Sequence, residues 1–305
     1  MAVSVQQALC AEVSSTSAEP LAATASRVDH WILVEYRGLW DRDVLGGSLL
    51  SAALKAHFRD QLARLPHSRL LFLKKPERRR YGRRALFFGS SRVGTEAFYK
   101  LEFDHHDDLV GLDFVSALRG EETPGVPVDH PLFVVCTHGK RDRCCAKFGR
   151  PLYDRLRAET ESEWVWQSTH VGGDRFAGNV VCLPEGLYYG RVDEGDVRAL
   201  LNAHAAGEIW LEGYRGRSAY TFAVQAAERA VREEAGLTGI GDVELVGVEA
   251  HPERGWTVRL RAAGTVHEVE VVAERAEEAT YLTCSSLTAQ HARHYSATSH
   301  RVLRR

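Results

Sequence analysis

Residues 131–167 read PLFVVCTHGKRDRCCAKFGRPLYDRLRAETESEWVWQ, and this stretch decides the architecture. Leu132 to Val135 is a short apolar run that predicts a buried strand, Pro151 to Leu156 predicts the core of a helix, and Trp164 to Gln167 predicts a second strand. Strand, helix, strand in this order predicts a βαβ unit, whose two strands open their following loops on the same edge of the sheet. Asn179 to Leu183 and Leu187 to Tyr189 extend it as a hairpin over Pro184, Glu185 and Gly186. A short helix around Val197, Leu200 and Leu201 closes it.

The same succession stands about a hundred residues earlier. Trp31 to Val34 predicts a buried strand ending at Glu35. Leu50, Leu54, Phe58, Leu62 and Leu65 recur at steps of three and four, which gives one apolar helical face, and Pro66 stops it. Leu70 to Leu73 and Ala85 to Phe88 predict two more strands, joined by a basic segment over 74–84. Two copies of one order imply two related α/β sandwiches, a degenerate duplication. Residues 1–27 are expected to form a loosely held arm, 28–120 the first unit and 121–204 the second. Residues 205–305 are expected to form a C-terminal α+β extension, with a helix over Ala219 to Glu234 ended by Gly236 and strands at Val243–Val248, Trp256–Leu260 and Val266–Val272.

The 305 residues, 44% apolar and 26% charged, suit an ordinary soluble protein of about two domains. The longest apolar runs are far shorter than the roughly 20 residues of a membrane helix. With 39 Lys and Arg against 41 Asp and Glu, the net charge of −2 leaves no global basic footprint for nucleic acid. The first 26 residues hold no Lys or Arg, so the positive region of a secretory signal is missing and a cytoplasmic location is expected. A reducing cytosol keeps cysteines as thiols.

Three of the six cysteines, Cys136, Cys144 and Cys145, fall within ten residues. They follow a buried strand, among Lys140, Arg141 and Arg143, whose positive charge favours the thiolate that a metal requires. A second loop follows the next strand and carries His170, Gly172, Gly173 and Asp174, with glycines that let the backbone turn tightly around a bulky group. Together the loops offer sulfur, nitrogen and oxygen donors. Cys10, Cys182 and Cys284 read as ordinary buried thiols. No Cys-x-x-Cys pair, Walker loop, nucleophile elbow or dinucleotide fingerprint is present. Asp104, His105, His106, Asp107 and Asp108 read as a solvated acidic turn. Lys74, Lys75, Arg78, Arg79, Arg80, Arg83 and Arg84 read as a solvated hairpin tip, with a docking patch for an acidic redox partner as the functional alternative.

At these two loops the chain resembles the sucrase/ferredoxin-like family of thioredoxin-fold ferredoxins. The resemblance runs from Cys10, Ser14, Glu19-Pro20-Leu21-Ala22, Thr24-Ala25 and Trp31 to Glu35, through Cys136-Thr137-His138-Gly139, Arg141-Asp142 and Cys145, and through His170-Val171-Gly172-Gly173 with Arg175-Phe176-Ala177. It continues to Tyr214-Arg215-Gly216-Arg217-Ser218. It implies thioredoxin-like units and a two-iron two-sulfur cluster in the second of them. Cys136, Cys145 and His170 carry over as ligands, and Arg141, Gly172 and Gly173 as residues lining the cluster. Asp174 stands where the family has a second histidine, and Cys144 is an extra thiol. Thiolate is the usual cluster ligand, so Cys144 is favoured as the fourth, with Asp174 as the rival. The implied role is an electron carrier between a reductase and an acceptor, rather than a catalyst. The alternatives are a structural zinc module and a thiol enzyme using Cys144 or Cys145.

Overall fold

The computed structural model describes residues 8–76, 82–121 and 124–303, and it divides into two compact units. Unit 1 takes the chain up to Ser26, Gly172–Asn179 and everything from Leu187 onward, while unit 2 takes Arg27–Val171 and Val180–Gly186. It is a mixed α/β protein with one large sheet and one small one. The first helix, α1 (Cys10–Thr16), belongs to unit 1.

Unit 2 is built from β1 (His30–Glu35), α2 (Ala52–Arg64), β2 (Ser68–Lys74), β3 (Arg84–Ser90), β4 (Ala97–Phe103), α3 (Phe114–Leu118), β5 (Val126–Pro127), β6 (Leu132–Cys136), α4 (Arg143–Glu159), β7 (Val165–Ser168) and β8 (Val180–Leu183). Its strands lie in the order β8-β6-β7-β2-β1-β3-β4-β5. β1 is flanked by parallel β2 and antiparallel β3, just as β6 is flanked by parallel β7 and antiparallel β8. The halves join where β2 and β7 pair antiparallel at Leu73 with Ser168 and Lys74 with Gln167. The two central strands thus share one arrangement of neighbours.

The first half confirms its apolar pattern. Ser51 caps α2 by accepting the Leu54 N–H, and the face carrying Leu54 and Phe58 packs on Ile32, Val34, Phe72, Leu86 and Phe88. β4 and α3 were missed because Ala97 to Phe103 alternates weakly, with Lys100 and Glu102 between its apolar residues. In the second half α4 runs well beyond the expected Pro151–Leu156 core. Asp142 accepts the Cys144 N–H at 2.8 Å and starts the helix at Arg143, and Pro151 lies in its interior.

Unit 1 adds β9 (Leu187–Tyr189), α5 (Val197–Ala205), β10 (Tyr214–Arg217), α6 (Phe222–Ala235), β11 (Val243–His251), β12 (Gly255–Ala262), β13 (Thr265–Thr280) and β14 (Gln290–Leu303). Strands β11 to β14 form an antiparallel sheet in sequence order, and α6 packs on it through Ala223, Val224, Ala227 and Val231. Gly236 ends α6 in the left-handed region at φ 64°, as its sequence position predicts. β14 escaped the sequence reading because it carries little apolar alternation.

The expectation of a loosely held arm is corrected between Cys10 and Ser26. Ser14 donates to Glu19 at 2.7 Å, and Arg175 donates to the same carboxylate at 2.7 Å. Arg191 donates to the carbonyls of Ser14 and Glu19 at 3.0 and 2.8 Å. These bonds tie the segment into unit 1, where Cys10 and Ser14 are fully buried.

Candidate metal centre

The parallel register of β6 and β7 sets Cys136 opposite Ser168, so the chain leaves both strands on one edge of unit 2. Thr137 N–H donates to the Ser168 carbonyl at 3.1 Å, and its hydroxyl donates to Gln167 at 3.0 Å, which ties the two exits together. Thr169 is anchored in turn, its N–H donating to the Phe72 carbonyl at 2.9 Å and its hydroxyl accepting the Phe72 N–H at 3.0 Å. His170 follows directly.

This framing brings Cys136, Cys145 and His170 together, their ligand atoms all lying within 4.8 Å of one another. Both cysteines are buried and His170 is half-buried. The Cys136 thiol is held well below its ordinary range. The hydrogen bond from Cys145 does most of this, burial opposes it, and contacts from His170 and the backbone N–H of His138 add to it. A site that favours thiolate, gathers soft donors and excludes water is suited to zinc or iron.

The reading of the cysteines as part of a polar loop is corrected. Cys144 and Cys145 occupy the first turn of α4, fully buried, because Asp142 begins the helix at once. Cys144 is not one of the three converging donors. Gly172, Gly173 and Asp174 lie in unit 1, where Gly173 has φ 80° and a buried Asp174 opens a short 3-10 turn. Arg141 lies half-buried in the turn before α4, its N–H donating to the His138 carbonyl at 3.0 Å.

Three residues to which the sequence reading assigned no role matter here. Gly149 lets α4 approach β6. His138 lies two residues past Cys136 with only 1% exposure, and Trp40 meets its ring edge-on at 5.8 Å. In unit 1, buried Arg215 donates to the Gly172 carbonyl at 3.0 Å and to Asn179 at 2.6 Å, and so shapes the Gly172–Gly173 turn. Its place in Tyr214-Arg215-Gly216 was visible in the sequence, but its partners were not.

Of the other cysteines, Cys182 fits the reading as an ordinary buried thiol, whereas Cys284 is only half-buried. Cys182 is buried in β8 with its thiol pushed up by burial, and in unit 1 the Cys284 thiol donates to Cys10 at 3.6 Å. The acidic turn is confirmed, with Asp108 accepting the His105 N–H at 2.8 Å. Of the basic segment, Arg78, Arg79 and Arg80 lie outside the described residues. Lys74 and Lys75 lie over the Trp40 and Trp166 rings at 3.9 and 4.1 Å, while Arg83 and Arg84 donate to the carbonyls of Glu102 and Asp104.

A sucrase/ferredoxin-like family model matches residues 21–216, more than half of the chain and all three converging donors. The chain belongs to the sucrase/ferredoxin-like family. It is similar to Altered inheritance of mitochondria protein 32 of Meyerozyma guilliermondii, 41% identical over 96 residues, which cover 28% of this chain and 34% of that protein. The protein of the same name from Eremothecium gossypii is 29% identical over 189 residues, covering 51% of this chain and 58% of that protein. This sucrase/ferredoxin-like chain thus spans a third to somewhat over half of those relatives. No solved structure matches it. No helix among its described residues is long and apolar enough to cross a membrane.

Proposed function

We propose that this family member carries a two-iron two-sulfur cluster on Cys136, Cys145 and His170 and moves single electrons between protein partners. The observation that carries the reading is the convergence of these three donors on the edge where β6 and β7 end. The donor set suits the group: two buried sulfurs, one held toward thiolate and accepting a backbone N–H, beside an imidazole. Such a cluster supplies a one-electron couple, and an imidazole in place of a thiolate raises its potential. Cys136 and Cys145 would hold the group through sulfur and His170 through a ring nitrogen, and the buried walls of β6 and α4 would keep water from the sulfurs. On the same reading, the two halves of unit 2 are thioredoxin-like and the protein works in the cytoplasm.

A reductase or acceptor with an acidic face is the proposed partner of the 74–84 segment. Burial lowers the Lys74 ammonium, with Arg150 adding to the effect, and a carboxylate partner would relieve both. Such docking weakens with salt.

Iron, sulfide and zinc analysis of the purified chain tests the proposal. Red-brown protein with two irons and two sulfides, bleached by dithionite, is the expected result. Colourless protein with one zinc would instead favour the structural metal site, which the compactness of the three donors also suits. The thiol-enzyme reading loses ground because Cys144 and Cys145 are fully buried, whereas an attacking thiol must meet its substrate.

A further inference from the structure

Three protein donors leave a tetrahedral metal or a two-iron cluster one ligand short. Among the described residues of unit 2, His138 is the histidine with both ring nitrogens buried and without an ordinary hydrogen bond. His138 is 1% exposed, and neither its Nδ1 nor its Nε2 has a hydrogen-bond partner of normal length. A buried polar group left in that state carries its desolvation cost uncompensated, so an imidazole orphaned at both nitrogens calls for a ligand. The Asp41 backbone lies beside the ring but forms no regular hydrogen bond to it.

The local chain keeps His138 beside Cys136. Its carbonyl accepts the N–H groups of Arg141 and Asp142 at 3.0 and 3.1 Å, which closes a tight turn before α4. Its own N–H is turned to the Cys136 sulfur, so residue 138 already touches one of the converging donors through its backbone. The charges that reach its ring include those of Cys136 and His170. Trp40 covers the ring from the side at 5.8 Å and offers it no acceptor.

We propose that the His138 imidazole is the fourth protein donor of the metal centre, in place of Cys144 or Asp174. This deepens the reading above and rests on it. His138 is not among the donors that lie within 4.8 Å of one another, so it would serve the metal position that those three leave short of a ligand. The centre then has two sulfur and two imidazole ligands, and both loops that leave β6 and β7 supply a histidine.

The test is pulsed electron paramagnetic resonance on the dithionite-reduced full-length protein with selectively 15N-labelled histidine. Two strongly coupled histidine nitrogens are expected, and His138→Ala should lose one of them together with most of its iron. His138→Cys restores a four-ligand set, so it should regain iron with an altered spectrum, which guards against a variant that merely misfolds. One strongly coupled nitrogen in the wild type, or two in His138→Ala, would overturn the assignment while leaving the cluster in place. If the protein holds zinc and no iron, the cluster reading fails, and X-ray absorption decides His138 separately: two sulfurs and two imidazoles uphold it, and one imidazole overturns it. Protein without any metal would sink both.

Discussion

Gly149 brings α4 so close to the end of β6 that a Cβ on it would stand 2.0 Å from the carbonyl oxygen of Cys136. This contact seats the helix that carries Cys145 against the strand that ends in Cys136. It also explains a glycine in the middle of a helix, where glycine is disfavoured by about 1 kcal/mol relative to alanine.

Gly149→Ala should therefore reverse the usual sign. An open helix position gains stability from alanine, but here the Cβ must displace backbone, and both the melting temperature and the bound metal should fall. Gly241→Ala in unit 1, where nothing lies within 4 Å, is the control and should stay within about 0.5 kcal/mol of the wild type. Thermal melts and metal analysis of the two variants decide. A Gly149→Ala protein with full metal content would mean that the close approach plays no part in the site.

Cys136→Ala and Cys145→Ala should each abolish metal binding, since a missing thiolate opens a position that water attacks. Cys144→Ser and Asp174→Ala should keep most of the metal, because neither residue belongs to the proposed set. Iron and zinc per chain across the four variants check this, and full metal in Cys145→Ala would remove that residue from the centre.

Stability should fall as pH drops from about 7 to about 5. Burial lowers the His106 pKa against a hydrogen bond at 3.1 Å to the Glu35 carbonyl, and burial likewise lowers His30. Above the ordinary histidine value of 6.5 both the folded and unfolded chains are neutral here, so nothing is gained or lost. Below it the unfolded chain takes up protons that the folded chain refuses, until the folded value is passed. Asp41, Asp108 and Asp113 are also lowered, each chiefly by a hydrogen bond, and they act only in a more acidic window, near and below their ordinary 3.8. Urea midpoints of wild type and His106→Gln at the two pH values test this. The variant should show a shallower decline, and identical slopes would refute the account.

Glu228→Ala should cost unit 1 about 3–5 kcal/mol, because it strands a charge. The Arg232 guanidinium donates to Glu228 at 3.0 Å with both side chains fully buried, and the Tyr214 hydroxyl donates to the same carboxylate at 3.0 Å. Glu228→Gln keeps the acceptor oxygen and should lose less. Denaturant unfolding followed by Trp210 and Trp256 fluorescence reads the difference.

Much of this protein was legible in its residues. The apolar runs at Trp31–Val34 and Leu132–Val135, the leucine spacing of α2, and Gly236 at the end of α6 report local preference and burial, which sequence periodicity carries directly. The spacing of Cys136, Cys145 and His170 likewise marked a centre. β14 and the arm were not legible in this way: their order comes from partners far along the chain, such as Arg191 holding Ser14.

Sequence alone thus determined the βαβ order and which candidate donor types the chain offers, because these follow from which residues are apolar and which carry sulfur or imidazole. Only the tertiary structure decided which donors meet. Cys144 and Cys145 are adjacent in sequence, but successive residues of a helix point about 100° apart, so α4 turns Cys145 toward Cys136 and Cys144 away. The same holds for His138, whose role depends on a ring buried without hydrogen bonds beside Trp40. That is a property of packing among distant segments, and no spacing in the chain encodes it.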